Sequence, residues 1–411
     1  MSRRLVLAVC ILAAALRLLA FVASDRLRHP EVWESEDVAT NLLEGRGFTY
    51  VTLGTVYRSY MEPLYPALCA LVYRVTNHSY QAMGIVQVLL GTALVWLVTV
   101  CGLSVASPGA ALMAGLLAAV DPALIVYTTK FHPFVLDTVL WFSAFAAVLA
   151  FTPAHPWRST VIAGGLIGLC VLTRPTILAC LPMIGWWMWI RSTDAVRSRV
   201  LRSAVLGLCI AAVAGPWAWR NYDAHKRLML TRSGTAFVFW LGNNPYLFTG
   251  SAMTPDGVPI IDRVPAAVRA ELSRRDEMGQ QDYFSDEAFA FVRARPAAFV
   301  SRWITKFGYF WWFSPQAGQQ YSAAGFRLFE LFYAALLGLS LWGLRTGWRE
   351  SEGDTARRGA IVLIVCCCLA ISALQSLYYV EGRHRLAIEP FLLIFAAVSL
   401  EPITRRAMRT A

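Results

Sequence analysis

Four carboxylates stand close together near the N-terminus, directly after a long apolar segment: Glu31, Glu34, Glu36 and Asp37. A carboxylate held at a reaction site can take a proton from a hydroxyl group, so such a cluster is suited to general-base catalysis. A solvated acidic face, or a carboxylate that caps a helix, explains the same residues equally well. From residue type alone, Glu34, Glu36 and Asp37 are equivalent candidates.

The segment before these carboxylates predicts their location. Residues 5–24 amount to about one bilayer crossing of apolar residues, and Arg3 and Arg4 stand just before them. The positive-inside rule then keeps the N-terminus in the cytoplasm and places the acidic loop outside. A cleaved signal peptide is the alternative. We favour an uncleaved helix because Arg17 interrupts an apolar run that is long enough to span.

Composition indicates an all-α polytopic membrane protein. Hydrophobic residues make up 57% of the 411 residues and charged residues only 15%, more apolar surface than a soluble core of this size can bury. The net charge of +11 lies in a few short runs, which is typical of orientation signals and of contact with lipid phosphate rather than with nucleic acid. The nine cysteines lie almost wholly in apolar runs, so neither a disulfide framework nor a zinc pattern is predicted.

Hydrophobic runs predict about ten transmembrane helices with both termini inside. Basic residues cluster in the connections that this count places in the cytoplasm, as the positive-inside rule requires. Two further apolar stretches are not counted as spans, because counting either would invert the orientation of every later span. Residues 63–73 are interpreted as an outer-surface or re-entrant helix, and residues 297–313 as a helix lying in the interface. The predicted spans are 5–24, 81–104, 110–126, 134–151, 160–173, 176–190, 203–219, 324–344, 360–379 and 386–401.

This topology divides the chain into three regions. Residues 1–219 form an N-terminal transmembrane module whose first external loop, 25–80, carries the acidic cluster. Residues 220–320 form an external region with an aromatic interfacial helix, and residues 321–411 hold the last transmembrane helices.

Basic residues at the external ends of the spans form a second candidate group. Charge at membrane depth is costly without a partner, and a phosphate group is a partner that all of these residues could share. Snorkelling into lipid headgroups is the alternative for any one of them. The candidate donor-phosphate ligands are Lys130, His132, Arg174, Arg220, Arg383 and Arg385, and weaker substrate-contact candidates are Arg58, Tyr65, Asn243, Asn244 and His384.

The first loop contains the signals of a short helix over residues 36–44. Ser35 is a suitable N-cap, and Gly45 is suited to the C′ position just beyond a helix. The helical period predicts that Val38, Ala39, Leu42 and Leu43 are buried, while Asp37, Asn41 and Glu44 share the opposite face.

A series of short fragments along most of the chain carries a family resemblance in its order and spacing. The fragments are Glu34, Ala39, Asn41-Leu42-Leu43, Gly45-Arg46-Gly47-Phe48, Glu62-Pro63-Leu64-Tyr65-Pro66, Leu172-Thr173-Arg174-Pro175, Pro216-Trp217, Arg220-Asn221-Tyr222, Gly242-Asn243-Asn244-Pro245, Arg383-His384-Arg385-Leu386, Ile388 and Pro390. Together they resemble the family 39 glycosyltransferases of the C-type glycosyltransferase superfamily, to which protein O-mannosyltransferases and the aminoarabinose transferase that acts on lipid A belong.

This resemblance implies transfer of a sugar from a polyprenyl-phosphate donor to an acceptor hydroxyl of a lipid, glycan or protein, with inversion at the anomeric carbon. A first-loop carboxylate would accept the acceptor proton, and cations would stabilise the departing phosphate. Glu34 aligns with a glutamate of related subfamilies, so the resemblance ranks it first, then Asp37 and then Glu36. It also implies that the site faces the non-cytoplasmic side, most simply the periplasmic face of a bacterial inner membrane.

Two positions depart from the family pattern. Glu62-Pro63 stands where many relatives have two prolines, and residues 129–133 lack the carboxylate that relatives often carry in the second external loop. The loss of that acid weakens the case for a divalent metal, which needs hard oxygen ligands, and strengthens the case for direct phosphate contact; no cofactor is assigned, and a divalent metal stays an open alternative. A transporter of lipid-linked sugars and a non-catalytic membrane assembly protein are the competing functions.

Overall fold

The computed structural model describes residues 2–151, 155–318 and 322–410, and most of them are helical. The predicted boundary between residues 320 and 321 lies outside the described residues. The helices are α1 Arg3–Ala23, α2 Glu34–Leu43, α3 Leu64–Thr76, α4 Tyr80–Gly102, α5 Pro108–Val120, α6 Pro122–Thr128, α7 Phe134–Leu149, α8 Pro156–Val171, α9 Leu181–Ile190, α10 Val196–His225, α11 Thr235–Gly242, α12 Ala266–Leu272, α13 Glu277–Ala294, α14 Pro296–Trp311, α15 Ala323–Glu350, α16 Thr355–Gln375 and α17 Glu389–Thr410.

Short strands and 3₁₀ helices connect these helices. Strand β1 (Glu31–Val32) pairs in parallel with β4 (Lys130–Phe131), so it joins the first loop to the segment after α6. Strands β2 (Tyr50–Thr52) and β3 (Thr55–Tyr57) form a hairpin whose turn residues, Leu53 and Gly54, both have positive φ, as a type I′ turn requires. The 3₁₀ helices are Pro175–Cys180, Ile260–Arg263 and Gly382–Ala387.

The predicted all-α membrane fold is confirmed, and each predicted span corresponds to a helical segment. Five helices, α1, α4, α10, α15 and α16, have the length and hydropathy needed to cross a membrane. The pair α5 and α6 is bent by 52° and becomes a sixth if it is one broken span. Because α7, α8 and the segment 175–190 are shorter apolar helices, the total of ten spans stays a prediction.

Helix α2 confirms most of the prediction for the first loop. It ends as expected, with Gly45 at φ +77° directly after the C-cap Glu44. Its start was predicted wrongly: Trp33 is the N-cap, and Ser35 lies in the first turn, where its hydroxyl contacts the Met61 sulfur. The helix therefore begins two residues earlier than predicted and includes Glu34.

Aromatic packing holds the membrane helices together. Phe391 of α17 lies between Phe142 and Phe145 of α7, with ring centroids 4.4 and 4.8 Å away. All three side chains are buried at 5% exposure or less. Because α7 is apolar on every side, it is suited to the centre of the bundle, where it fixes the segments at its two ends.

The first loop and residues 230–290 pack into one body. Glu277, the first residue of α13, accepts hydrogen bonds from the backbone N–H groups of Arg58 and Ser59 at 2.6 and 3.1 Å. Tyr57 of β3 donates to Gln280 in the next turn of α13. A separate apolar cluster around Trp240 and Phe284 supports this body, so the 25–80 loop is held by a folded region and not by the membrane helices alone.

Candidate active site

Glu34 is the first residue of α2, and its side chain is partly exposed. No described residue donates a hydrogen bond to its carboxylate or forms an ion pair with it. Tyr50 and Tyr60 lie beside it, with ring centroids 4.6 Å apart. Burial, together with the Glu34 and Asp37 carboxylates, raises the pKa of Tyr50 to about 12. An unpaired carboxylate beside neutral phenols has the lone pairs needed to accept a proton.

Glu36 has a different environment from Glu34. It is 9% exposed, and its carboxylate accepts a 2.6 Å hydrogen bond from the Tyr73 hydroxyl and lies 2.8 Å from His78 Nε2. The His78 ring stacks on Tyr73 at a centroid distance of 4.2 Å. Both oxygens are occupied by contacts to α3 and the turn after it, so this carboxylate anchors α2. Asp37 is exposed on the opposite side.

Lys130 is brought to the first loop by the pairing of β1 with β4. Its ammonium group donates to Glu31 at 2.9 Å, and Arg26 binds the other oxygen of the same carboxylate. Burial raises the pKa of Glu31, but the two cations outweigh that effect and hold the pKa below its usual range. Lys130 is therefore already paired, whereas the sequence had suggested a cation free for a ligand.

Arg174 and Arg383 form the centre of a partly buried cation cluster. Arg174 stacks 4.8 Å from the Phe134 ring, and its Nη2 donates to Gln375 while its Nη1 is buried without a partner. Arg383 pairs with Glu381 at 2.7 Å and donates to the Tyr379 hydroxyl at 3.3 Å. The structure thus brings together two of the predicted phosphate ligands.

Two imidazoles complete this cluster. His132 stacks on Phe134 at 4.3 Å, and His384 accepts a hydrogen bond from the backbone N–H of Glu381. Burial and the charges of Arg174 and Arg383 lower the pKa of both histidines. Both rings are therefore neutral near neutral pH, and the positive charge resides on the two guanidinium groups.

Arg220 and Arg385 have other partners. Arg220 Nη1 donates to the Arg58 carbonyl at 2.6 Å and to the Ser59 hydroxyl at 2.8 Å, which ties α10 to the first loop. Arg385 is 2% exposed, donates to the Trp312 carbonyl and lies 4.1 Å from the Tyr333 ring. The structure does not bring these two arginines into the Arg174–Arg383 cluster.

The weaker candidates mostly make structural hydrogen bonds. The side-chain amides of Asn243 and Asn244 bond to backbone carbonyls of the 239–241 turn, and Asn243 also bonds to the carbonyl of Leu377. The Tyr65 hydroxyl accepts from Gln87. Arg58 contributes backbone groups to the contacts with Glu277 and Arg220, and its side chain is exposed.

Comparison with known proteins agrees with the resemblance in part of the sequence and in the fold. Residues 61–219 match the family model described as dolichyl-phosphate-mannose-protein mannosyltransferase. The apo oligosaccharyltransferase of Archaeoglobus fulgidus superposes with a TM-score of 0.56 at 15% identity, over 99% of this chain and 52% of that one. The chain shares the fold of that part of the oligosaccharyltransferase.

Two further structures show similarity. AglB from A. fulgidus, in complex with an inhibitory peptide and a dolichol-phosphate, matches with a TM-score of 0.55 at 13% identity, over 98% of this chain and 51% of that one. ArnT from Cupriavidus metallidurans, bound to undecaprenyl phosphate, gives 0.45 at 13% identity, over 97% and 78%. The chain spans about half the length of the archaeal chains. No curated protein matches it by sequence.

The structure adds residues that the sequence did not single out as site candidates. Arg232, from the turn region after α10, reaches Glu62 at 3.5 Å, and its charge also acts on Tyr60 and Tyr379. Glu62 in turn lies near Arg174. The departure at Glu62-Pro63 was the available signal for Glu62, whereas nothing in the sequence around Arg232 distinguishes it from other loop arginines.

The residues of this site do not form a ligand set for a divalent metal. In the part of the chain that the structure describes, no group of three His, Cys, Asp or Glu side chains is arranged to hold a metal ion. Glu31 and Glu36 already carry cationic or hydrogen-bonding partners. The side chains at this site therefore do not fit a divalent metal ion.

Proposed function

We propose that this chain is an integral membrane glycosyltransferase. It transfers a sugar from a polyprenyl-phosphate donor to an acceptor hydroxyl on the non-cytoplasmic face, with inversion at the anomeric carbon and Glu34 as the general base. The donor phosphate lies at the Arg174–Arg383 cluster.

One observation carries this proposal: the unpaired carboxylate and the cation cluster lie side by side. The guanidinium carbon of Arg383 is 5.5 Å from the centre of the Trp33 ring, and Glu34 is the next residue in the chain. Tyr60 links the same two groups, since it lies close to both Glu34 and Tyr379. A base and a phosphate-binding group that lie beside each other can act on the attacking and the leaving oxygen of a transfer reaction.

In the reaction, Glu34 accepts the proton of the acceptor hydroxyl as its oxygen attacks the anomeric carbon. The bond between that carbon and the phosphate oxygen breaks, and its electron pair leaves with the polyprenyl phosphate. Arg174 and Arg383 stabilise the negative charge that grows on this leaving group. No nucleotide-sugar site is needed, because the leaving group is the lipid phosphate itself.

The state of Arg174 supports a phosphate ligand. A buried guanidinium N–H without an acceptor costs free energy, about 1–3 kcal/mol or more for a charged group. A phosphate oxygen would accept that hydrogen bond in a planar, bidentate geometry that arginine favours. The neighbouring His132 and His384 are neutral, so Arg174 and Arg383 supply the positive charge that faces one anion.

The identity of the carrier lipid rests on analogy. The archaeal structure that shares this fold was determined with a dolichol-phosphate, which is a polyprenyl-type phosphate. The acceptor is a lipid, glycan or protein hydroxyl, and the active face is the periplasmic side of a bacterial inner membrane. A transporter of lipid-linked sugars would need paired discontinuous helices, and the described residues contain one bent pair.

Transfer of label from donor to acceptor tests the proposal. Purified protein in proteoliposomes is incubated with labelled polyprenyl-phosphate sugars and membrane extract, and the labelled products are identified. Glu34→Gln is expected to lower the transfer rate roughly 100-fold or more, as loss of a general base does. Asp37→Asn, an exposed carboxylate one helical turn on, is the matched control and is expected to retain activity. Transfer by Glu34→Gln at the wild-type rate would overturn the assignment of the base.

A further inference from the structure

Two carboxylic acids are buried as neighbours inside the helix bundle. Asp121 is fully buried at the bend between α5 and α6, and Glu389 is 2% exposed at the start of α17. Helices α5 and α17 pack against each other, with Ser107 before α5 bonded to Glu401 of α17, so Asp121 at the far end of α5 is a neighbour of Glu389. Neither residue has a role in the reaction proposed above.

Neither carboxyl group is neutralised by a direct ion pair in the described chain. Asp121 Oδ1 accepts from the backbone N–H of Leu124 at 2.9 Å, but Asp121 Oδ2 and Glu389 Oε1 are buried without any donor. Arg17 lies nearby, and its Nη groups donate to backbone carbonyls, among them those of residues 118 and 119, while its Nε has no acceptor among the described residues. Arg385 Nη1 donates to the Trp312 carbonyl, and the Arg385 Nε likewise has no acceptor there.

Two ionised carboxylates cannot form a hydrogen bond, because both offer only acceptors. A single proton held between them supplies the missing donor and removes one of the two negative charges from a buried site. The remaining charge faces Arg17 and Arg385, and the Tyr333 hydroxyl also lies close to Arg385 and Glu389. One shared proton therefore supplies the donor that the contact between the two carboxyl groups lacks.

Asp121 and Glu389 each lie close in sequence to a segment that carries residues of the Arg174–Arg383 cluster. Asp121 precedes α6, which leads directly into Lys130 and His132. Glu389 comes directly after the 3₁₀ segment Gly382–Ala387 and Ile388, and that segment carries Arg383. A bond between these residues fixes one segment against the other.

We propose that Asp121 and Glu389 share one proton and that this pair latches the Lys130 segment to the Arg383 segment. The latch positions phosphate-binding residues and does not itself contact the substrate; this consequence rests on the proposed function. Gln in place of Glu389 keeps the latch, because an amide N–H can donate to the Asp121 carboxylate. Met keeps the size of the side chain but removes every polar contact.

The shared proton is tested by infrared spectroscopy of the purified protein. A protonated carboxyl group gives a C=O stretching band that is separate from the carboxylate bands, and the wild-type spectrum should contain such a band that both Glu389→Gln and Asp121→Asn remove. Identical spectra for wild type and both variants in this region would overturn the shared proton.

The latch is tested by hydrogen–deuterium exchange on the same protein in detergent. Glu389→Met should speed exchange in residues 129–133 and 382–388, and Glu389→Gln should restore the wild-type rates. Unchanged exchange in both segments of Glu389→Met would overturn the latch. Both measurements use the protein without substrate, so they decide the latch independently of the proposed function.

The effect of the latch on donor binding is measured in a separate experiment. Glu389→Met should weaken binding of polyprenyl phosphate about tenfold or more, while Glu389→Gln stays within about twofold of wild type. Equal affinity in wild type and Glu389→Met would refute the positioning role. Failure of the wild-type protein to bind polyprenyl phosphate would instead refute the proposed function.

Discussion

Lys130 donates a 2.9 Å hydrogen bond to Glu31 across the parallel pairing of their two strands. The Lys130 side chain is only 8% exposed and the Glu31 side chain 29%, so the contact is partly shielded from water. This ion pair fastens the first loop to the segment after α6. A cation predicted to bind the donor phosphate thus holds the loop that carries the proposed base.

The Glu31 ion pair predicts an acid-dependent loss of stability. The pKa of Glu31 is lower in the folded chain than in the unfolded chain, where it is near 4.5. Its contribution is therefore complete above about pH 4.5 and is lost as the pH falls through the lower folded-state value. Because the pair is partly exposed, we expect it to be worth about 1 kcal/mol or less. Thermal unfolding of wild type and Glu31→Gln should differ at neutral pH and converge in acid; a difference that grows in acid would contradict this.

Tyr73→Phe should destabilise the first loop without removing a reacting group. The substitution deletes the 2.6 Å hydrogen bond to the buried Glu36 carboxylate and leaves that oxygen without a donor. The expected cost is about 1–3 kcal/mol, measured as a lower unfolding temperature in detergent. Tyr222→Phe, at an exposed position of α10, is the control and should leave the unfolding temperature unchanged. A loss of transfer as deep as that of Glu34→Gln would show that Glu36 does more than anchor α2.

Local sequence signals predicted the elements of this fold better than the site. Gly45 terminates α2 as expected, because a positive φ is a local property of one residue. The start of α2 was missed because Ser35 looks like a cap, whereas the chain extends up to Trp33 through the pairing of β1 with β4. That pairing joins residues almost a hundred positions apart, and no local pattern encodes it.

Charge type alone could not separate ligands from structural cations. Arg174 and Arg220 stand at equivalent external span ends in the sequence, yet one has a buried N–H without a partner and the other bonds to the first loop. The sequence does not mark Arg232 as a site candidate, because this residue lies in a polar region where arginines are common. Its position near Tyr60 results from how residues 230–290 pack on the first loop.

The predicted orientation can be measured directly. Cysteine introduced at Asp256, in the exposed part of the large polar region, should react with a membrane-impermeant thiol reagent from outside intact cells. Cysteine at Glu352, between α15 and α16, should react only after the membrane is opened, because basic residues flank this turn on the cytoplasmic side. The native cysteines are buried or half-buried, which keeps the background low. External labelling at position 352 would contradict the topology.

Arg174→Lys should weaken donor binding although the charge is kept. Arginine presents two parallel N–H groups to a phosphate, whereas lysine presents one point charge on a flexible stem. The Arg174 guanidinium is also held in plane by Phe134 and Gln375, contacts that lysine cannot reproduce. We expect the Kd for polyprenyl phosphate to rise about tenfold, or about 1.4 kcal/mol, with the unfolding temperature nearly unchanged. Arg227→Lys, a surface arginine paired with Asp282, is the matched control and should leave the Kd unchanged. If Arg174→Lys and Arg227→Lys both bind the donor with the wild-type Kd, Arg174 Nη1 does not contact the phosphate. Arg232 is then the next candidate for the anion site.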